Sequence, residues 1–254
     1  MVAPWTGYSP ERVAKVEQTW PVCESGVVGW LQPFLTQGEE MNILFFDLET
    51  TGLDPKRHGI VEVAAQLYSN GELVDTFFQA IDLEDLVTRG RKVDMSAMKV
   101  NGITFYNQKE RCVQRNINFV GKEDVVLRNF ADWLVGATLK VEGKTYVAGQ
   151  NIGFDIGFIK QAFANHDIEG WDSAVSYRTI DTSGISRFLI DAGAIRVSDN
   201  VQAGSGLAKI ALSLGIEIRD RTLHTALEDV KLTAEVYFAM KKKMEQLCQG
   251  QKQN

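Results

Sequence analysis

Apolar and polar positions follow a strand-like pattern from residue 42 to residue 80. Three apolar runs of strand length occupy residues 42–48, 60–68 and 73–80. The second and third runs are separated by Ser-Asn-Gly-Glu at 69–72, a sequence typical of a tight hairpin turn. The pattern therefore predicts three consecutive strands, of which the last two form a hairpin.

Helical periodicity dominates after residue 121. Apolar residues spaced three and four apart predict helices over 124–135, 155–164, 207–214 and 223–245. Short apolar runs between them predict strands at 145–148 and 178–180. Because single strands alternate with helices here, we predict an α/β fold with one central five-stranded sheet flanked by helices. The pattern over residues 82–121 is mixed and predicts no single element.

Residues 1–40 differ in composition from the rest of the chain. They contain three of the five tryptophans and four of the five prolines. We predict an N-terminal appendage at 1–40, a main domain at 41–247 and a tail at 248–254. The appendage is interpreted as short helices packed on the domain, as a flexible leader, or as a segment that docks on a partner protein.

Composition and charge restrict the class of protein. Hydrophobic residues make up 44% and charged residues 24%, as in ordinary globular proteins. The net charge of −6 and the pI near 5.2 indicate no basic surface over the whole chain. A nucleic-acid ligand would therefore be held locally, with metal ions offsetting nearby acids. The three scattered cysteines predict free thiols, and no apolar run is long enough for a membrane span, so we expect a cytoplasmic protein without membrane contact.

Two carboxylates mark the end of the first predicted strand. Asp47 and Glu49 are two residues apart, so both side chains lie on the same face of the strand. Two such acids repel each other unless a cation lies between them, and oxygen ligands suit Mg²⁺ or Mn²⁺. A solvated rim is the alternative interpretation of an isolated acidic pair.

Further polar residues stand where two later helices begin. Asp155 follows a short strand and opens a helix, which would direct it to the carboxyl ends of the strands. Thr225 and Glu228 have the spacing of a capping box, which predicts a helix start at Thr225. His224 would then precede this helix and Asp229 would lie in its first turn. The alternative interpretation of Asp155 is a simple helix cap. For His224 taken singly, an ordinary polar residue before a helix is the favoured interpretation.

Together these residues form an ordered set of motifs. Asp47-Leu48-Glu49, then Asp155, then His224 with Asp229 five positions later resemble the three motifs of the DEDDh 3′–5′ exonuclease superfamily. Within it, the similarity is greatest to the proofreading epsilon-type (DnaQ-like) exonucleases of bacterial DNA polymerase III. The resemblance covers about residues 42–243. It departs from the family pattern at Gln150, where histidine is usual, and over 104–122, which is longer than the usual connection.

The resemblance implies a ribonuclease-H-like fold and a metal-dependent reaction. Asp47, Glu49 and Asp229 would hold one Mg²⁺ or Mn²⁺, Asp47 would help to hold a second, and Asp155 would complete the site. Two such ions about 4 Å apart can stabilise both the attacking and the leaving oxygen. His224 would act as the general base towards water. The product would be a nucleoside 5′-monophosphate.

The resemblance also implies a set of substrate contacts. Residues expected to touch the terminal nucleotide are Thr50, Thr51, Gly52, Leu53, Asn151 and Phe158. For Leu53 and Phe158 a simple role in the core is an equal alternative. The expected substrate is the 3′ end of single-stranded DNA, in proofreading or repair, with trimming of RNA 3′ ends as the alternative. A third interpretation is a polymerase-associated subunit that acts mainly by docking through residues 1–40.

Overall fold

The computed structural model of the protein describes residues 41–114, 120–197, 206–218 and 225–250. Its strands are β1 Asn42–Thr50, β2 Ile60–Ser69, β3 Glu72–Ile81, β4 Val120–Gly121, β5 Thr145–Gly149 and β6 Thr179–Asp181. Its helices are α1 Leu83–Thr88, α2 Met95–Asn101, α3 Gln108–Gln114, α4 Glu123–Thr138, α5 Gly153–Asn165, α6 Trp171–Ala174, α7 Thr182–Asp191, α8 Leu207–Ser213 and α9 Ala226–Gly250. The predicted appendage at 1–40 lies outside the described residues and stays a prediction.

The strands form one mixed sheet in the order β4-β3-β2-β1-β5-β6. β1 is antiparallel to β2, and β2 is antiparallel to β3. The pairs β3–β4, β1–β5 and β5–β6 are parallel. The five predicted strands are confirmed, and the two-residue strand β4 adds a sixth at one edge. Asn70 and Gly71 have φ of 54° and 86°, as the predicted tight turn between β2 and β3 requires.

The two faces of β1 are covered by different helices. Leu44, Phe46 and Leu48 belong to the main core, which includes apolar residues of α4 and α5. Ile43 and Phe45 alternate with them and pack against α9 on the opposite face. Each fully buried side chain of this kind contributes roughly 1.5–3 kcal/mol. The stability gained from this core can offset the repulsion between acidic side chains that lie close together at the end of β1.

The segment between β3 and β4, which had no firm prediction, contains three short helices. Asp82 accepts a hydrogen bond from the Glu84 amide at the start of α1, and Asp94 does the same for Ser96 at the start of α2. Gly102, with φ of 66°, ends α2 in the left-handed conformation. Caps and turns, which carry little periodicity, therefore define this segment.

Three remaining predictions concern the chain as a whole. In the described part of the chain, no helix is long and apolar enough to cross a membrane. Cys112 is a buried free thiol, whereas the side chains of Cys23 and Cys248 lie outside the described set. α9 ends at Gly250, three residues beyond the predicted end of the domain at residue 247.

Candidate active site

Three carboxylates meet where β1 ends and α9 begins. Asp47, Glu49 and Asp229 each offer one oxygen, and these oxygens lie within 4.8 Å of one another. Asp47 and Glu49 come from the α9-facing side of β1, where strand alternation placed them. Asp229 lies in the first turn of α9, whose start is fixed by Thr225, because the Thr225 hydroxyl accepts the Glu228 amide at 3.2 Å. This bond confirms the predicted start of the helix at Thr225.

Asp155 lies beside this cluster in the first turn of α5. Its Oδ1 accepts the backbone amide of Leu48 at 3.0 Å, a buried bond that ties α5 to β1 between the two acids of the strand. The side chain of Asp155 is buried. The structure thus brings together all four predicted carboxylates, with Asp155 as the innermost.

Burial and mutual repulsion make these acids hard to ionise together. Burial raises the pKa of Asp47 well above its usual range, and the charges of Asp155, Glu49 and Asp229 raise it further. Burial also raises the pKa of Glu49, helped by the charges of Glu62 and Asp229. Burial raises the pKa of Asp155 to about 7, although the hydrogen bond from Leu48 opposes this shift. Strongly shifted carboxyls that share one crevice are typical of functional sites.

We expect the metal-free protein to lose stability as pH rises from 5 to 8. A carboxyl whose pKa is raised on folding stabilises the fold below its unfolded pKa, and this contribution is lost as pH rises through the folded pKa. For Asp155 the loss therefore begins near its ordinary pKa of 3.8, continues up to about pH 7 and levels off above that pH. Melting temperatures measured in EDTA across this range should fall, and Asp155→Asn should make the fall smaller.

The matched control is an exposed aspartate. Asp172 lies on α6, and its side chain is 83% exposed. Asp172→Asn should keep the wild-type dependence of melting temperature on pH. An Asp155→Asn protein with the full wild-type dependence would show that this carboxyl is not the source of the effect.

The donor set fits a small divalent cation. Each of the four side chains offers carboxylate oxygen, and hard cations such as Mg²⁺, Mn²⁺ and Ca²⁺ prefer such ligands. A bound cation would also relieve the repulsion that raises the pKa of Asp47 and Glu49. The predicted general base, His224, lies outside the described residues, so its role stays a prediction.

The loop after β1 is held rigidly from within the protein. The Thr51 hydroxyl donates to the Lys92 carbonyl at 2.6 Å and accepts the Gly59 amide at 2.9 Å. The Thr50 hydroxyl donates to the carbonyl of Gly52 at 2.8 Å. Both threonine side chains are buried, so their hydroxyl groups serve the loop. Contact of the backbone of Thr50 and Thr51 with a terminal nucleotide stays a prediction.

Packing explains why residue 52 is a glycine, and the sequence pattern did not indicate this. A Cβ atom at Gly52 would lie 2.2 Å from Cδ2 of His58, so the imidazole ring occupies the space of a side chain. The same ring makes a 3.1 Å contact with the Asp54 backbone through Nδ1. The glycine was attributed to close approach of substrate, and in the structure it also permits close approach of His58.

The predicted apolar contacts divide into two kinds. Leu53 is 79% exposed, which rules out a core role in this structure and leaves an exposed apolar side chain in the loop that follows β1. Phe158 is 2% exposed and lies in the main core, with the half-buried Phe154 ring 4.8 Å away. We therefore assign Phe158 to the core, one of its two predicted alternatives. Asn151 is exposed with φ of 59°, and its backbone N–H donates to Oδ1 of Asp181 at 3.1 Å.

Two buried charged residues near the cluster were not predicted from the sequence. Glu62 lies opposite Glu49 in the β1–β2 register and is 1% exposed. Arg111 on α3 is 4% exposed and approaches Glu62. The signal for Glu62 was a charged residue inside a continuous apolar strand, which is rare unless the charge is paired. For Arg111 no periodic pattern existed.

The comparisons with known proteins define the class. The sequence model described as Exonuclease, the ribonuclease T type, matches residues 44–237. The chain belongs to this exonuclease family, which is part of the DEDDh exonuclease superfamily. The resemblance found in the motifs is thereby confirmed.

Two curated relatives illustrate the range of the family. The PolC-type DNA polymerase III of Listeria welshimeri is 30% identical over 144 residues, which are 57% of this chain and 8% of that protein. Ribonuclease T of Wigglesworthia glossinidia brevipalpis is 26% identical over 195 residues, or 75% of this chain and 80% of that protein. The chain thus spans less than a tenth of the length of the polymerase that it matches.

Solved structures confirm the fold. Exonuclease I of E. coli in complex with a dA16 oligonucleotide aligns with a TM-score of 0.62 at 17% identity. The alignment covers 83% of this chain and 42% of that one. The predicted ribonuclease-H-like architecture, a mixed sheet flanked by helices, is therefore confirmed.

Proposed function

We propose that this chain is a divalent-metal-dependent 3′–5′ exonuclease that releases nucleoside 5′-monophosphates from single-stranded DNA. The observation that carries the proposal is the meeting of Asp47, Glu49 and Asp229 within 4.8 Å, with Asp155 tied to the same strand. Nuclease chemistry needs a site that gathers positive charge around a phosphodiester. A cluster of four acids does this by holding cations.

The acids and the histidine would have separate roles in the reaction. Asp47, Glu49 and Asp229 would bind Mg²⁺ or Mn²⁺, and Asp155 would complete the set through water or a second ion. When bound, such ions stabilise charge on the attacking and leaving oxygens of an in-line displacement. His224, as a neutral imidazole, would accept the proton of the attacking water.

The loop after β1 would restrict cleavage to the terminal nucleotide of a strand. Leu53 projects from a loop whose backbone is fixed by Thr51, Lys92 and Gly59. An exposed leucine on a rigid support can contact the face of a terminal base without a large loss of conformational entropy. The proposed role of Leu53 is to stop the strand after one nucleotide, so that cleavage proceeds from the end.

Two of the related proteins support DNA as the proposed substrate. The PolC-type relative is named as a DNA polymerase, and the exonuclease I neighbour is bound to a DNA oligonucleotide. The competing function, trimming of RNA 3′ ends, is favoured by the ribonuclease T relative, which matches along most of both chains. Docking on a polymerase or another partner through residues 1–40 stays a prediction.

The purified full chain should shorten single-stranded DNA from its free 3′ end in the presence of Mg²⁺. The assay uses DNA and RNA oligonucleotides of one sequence, labelled at the 5′ end, with either a 3′-hydroxyl or a blocked 3′ end. Mononucleotides should accumulate, and a circular single-stranded DNA should stay intact because it has no end.

Each alternative has its own signature in this assay. Nicking of circles at a rate near that on linear strands would contradict the exonuclease assignment. Release of nucleotides from the 5′ end would contradict the direction. An RNA rate more than about tenfold above the DNA rate would replace the DNA assignment with the exoribonuclease.

A further inference from the structure

A buried ion pair lies next to the acidic cluster, on the same face of the sheet. Nε of Arg111 is 3.4 Å from Oε1 of Glu62, and the two side chains are 4% and 2% exposed. Such a pair is seldom retained for stability alone, because removing both charges from water costs several kcal/mol for each ion. Its location therefore calls for a reason connected with the residues around it.

Glu62 connects the pair to both elements that carry the acids. On β2 it lies opposite Glu49 of β1. Its Oε2 accepts the backbone amide of Ala226 at 3.1 Å, in a buried bond that spans 164 residues of sequence. Ala226 is the first residue of α9, and Asp229 follows three residues later, one turn along the same side of the helix. The carboxylate of Glu62 thus fixes the end of the helix that presents Asp229.

Arg111 lies on a helix, α3, whose position is fixed by hydrogen bonds and packing. On α3, the side-chain amide of Gln108 donates to the Ile81 carbonyl at 2.7 Å and accepts the Leu83 amide at 3.1 Å. Cys112, the next residue after Arg111, packs against Ala80 of β3. These contacts hold the inner side of α3 against the end of β3. The segment 104–122, longer than the usual connection, therefore contributes a guanidinium to the interior.

The charges of the surrounding acids explain why an arginine side chain is useful beside Glu62. Glu62 adds a carboxylate to the four of the site, so its own charge opposes the gathering of Asp47, Glu49 and Asp229. Burial raises the pKa of Glu62, and the charge of Arg111 opposes that rise and so favours the ionised carboxylate. The ionised form is the stronger acceptor for the Ala226 amide, since charge-assisted hydrogen bonds are about twice as strong as neutral ones.

We propose that the Arg111–Glu62 pair is a positioning device that fixes the start of α9 and thereby places Asp229 for metal binding. The proposal rests on the proposed function, because it assumes that the carboxylates hold a divalent cation. Neither Arg111 nor Glu62 contacts the substrate in this role. Both act through Ala226 and the first turn of α9.

The test measures Mn²⁺ binding to the full chain by calorimetry, without nucleic acid. Arg111→Met should raise the dissociation constant for Mn²⁺ about 10- to 100-fold, the usual cost of losing a residue that orients metal ligands. The Ala226 amide should exchange with deuterium faster in the same variant. Nuclease activity at limiting Mn²⁺ should fall, with recovery as Mn²⁺ is raised.

The chain offers a matched control in a second buried Arg–Glu pair. Arg91 lies 3.1 Å from Glu123, with side chains 14% and 1% exposed. Glu123 follows β4, three positions from β1 in the strand order. Arg91→Met removes the same chemical group but should leave Mn²⁺ affinity at the wild-type value. This comparison separates positioning of α9 from a general loss of stability.

Wild-type Mn²⁺ affinity in a folded Arg111→Met protein would overturn the proposal, whatever its activity. If that variant does not fold, Arg111→Lys and Arg91→Lys make the same comparison, and equal Mn²⁺ affinities would again overturn it. Weakened binding in Arg111→Lys alone would support it. A wild-type chain that cleaves nucleic acid without any divalent ion would instead refute the proposed function, which is a separate result.

Discussion

Replacing Asp229 by alanine is expected to abolish nuclease activity and, in EDTA, to raise the melting temperature. The loss of activity should exceed the 10- to 100-fold that removal of a supporting residue usually costs, because a metal ligand itself is removed. The gain in stability is expected because the charge of Asp229 raises the pKa of both Asp47 and Glu49 in the metal-free protein. Asp47→Ala should behave in the same way.

Two measurements on each variant are needed, the rate in saturating Mg²⁺ and the melting curve in EDTA. Asp172→Ala provides the control, since this aspartate is exposed on α6 and should affect neither quantity. An Asp229→Ala protein that cleaves at the wild-type rate would contradict the metal site. A lower melting temperature in EDTA would contradict the repulsion among the acids.

Replacing His224 by glutamine is expected to cost about 10²–10⁴ in turnover, the range of general-base catalysis. A base must be neutral to accept a proton, so the wild-type rate should fall as pH drops through the pKa of the imidazole, near 6.5 when unperturbed. The variant should lack this acidic limb. A pH–rate profile of both proteins at saturating Mg²⁺ measures the two effects together.

The Mg²⁺ affinity of the His224→Gln variant shows whether His224 acts as a general base or as a ligand that supports the metal. Calorimetry should give the same Mg²⁺ affinity for wild type and His224→Gln if the imidazole acts only on water. A variant that binds Mg²⁺ weakly and regains the full rate when the ion is raised would make His224 part of the metal site. Another base would then be needed.

The acids of the site could be predicted because each depends on local geometry. Strand alternation alone places Asp47 and Glu49 on one face, and the Thr225 cap sets where α9 begins. Continuous apolar runs identified the central strands, since both faces of β1 and β2 are covered. Local sequence patterns therefore predicted the central sheet and the carboxylates that meet at the end of β1.

The contacts that support these residues could not be predicted, because they join distant parts of the chain. The bond from Ala226 to Glu62 and the approach of Arg111 to Glu62 exist only after folding. The ring of His58 behind Gly52 and the burial of Phe158 are likewise results of packing. The three helices between β3 and β4 are too short to show periodicity.

The face of α9 that packs on β1 is apolar along most of its contact with the strand and acidic in the first turn of the helix. Its apolar residues cover Ile43 and Phe45, and its first turn brings Asp229 to Asp47 on the same face of the strand. Each residue inserted in a helix rotates the later residues of that helix by about 100°. A single insertion between Asp229 and Tyr237 would therefore rotate the turn that carries Asp229 away from the turns that pack on β1. In evolution this segment should tolerate changes of side chain far better than changes of length, whereas gains and losses of residues should accumulate in the connections outside it.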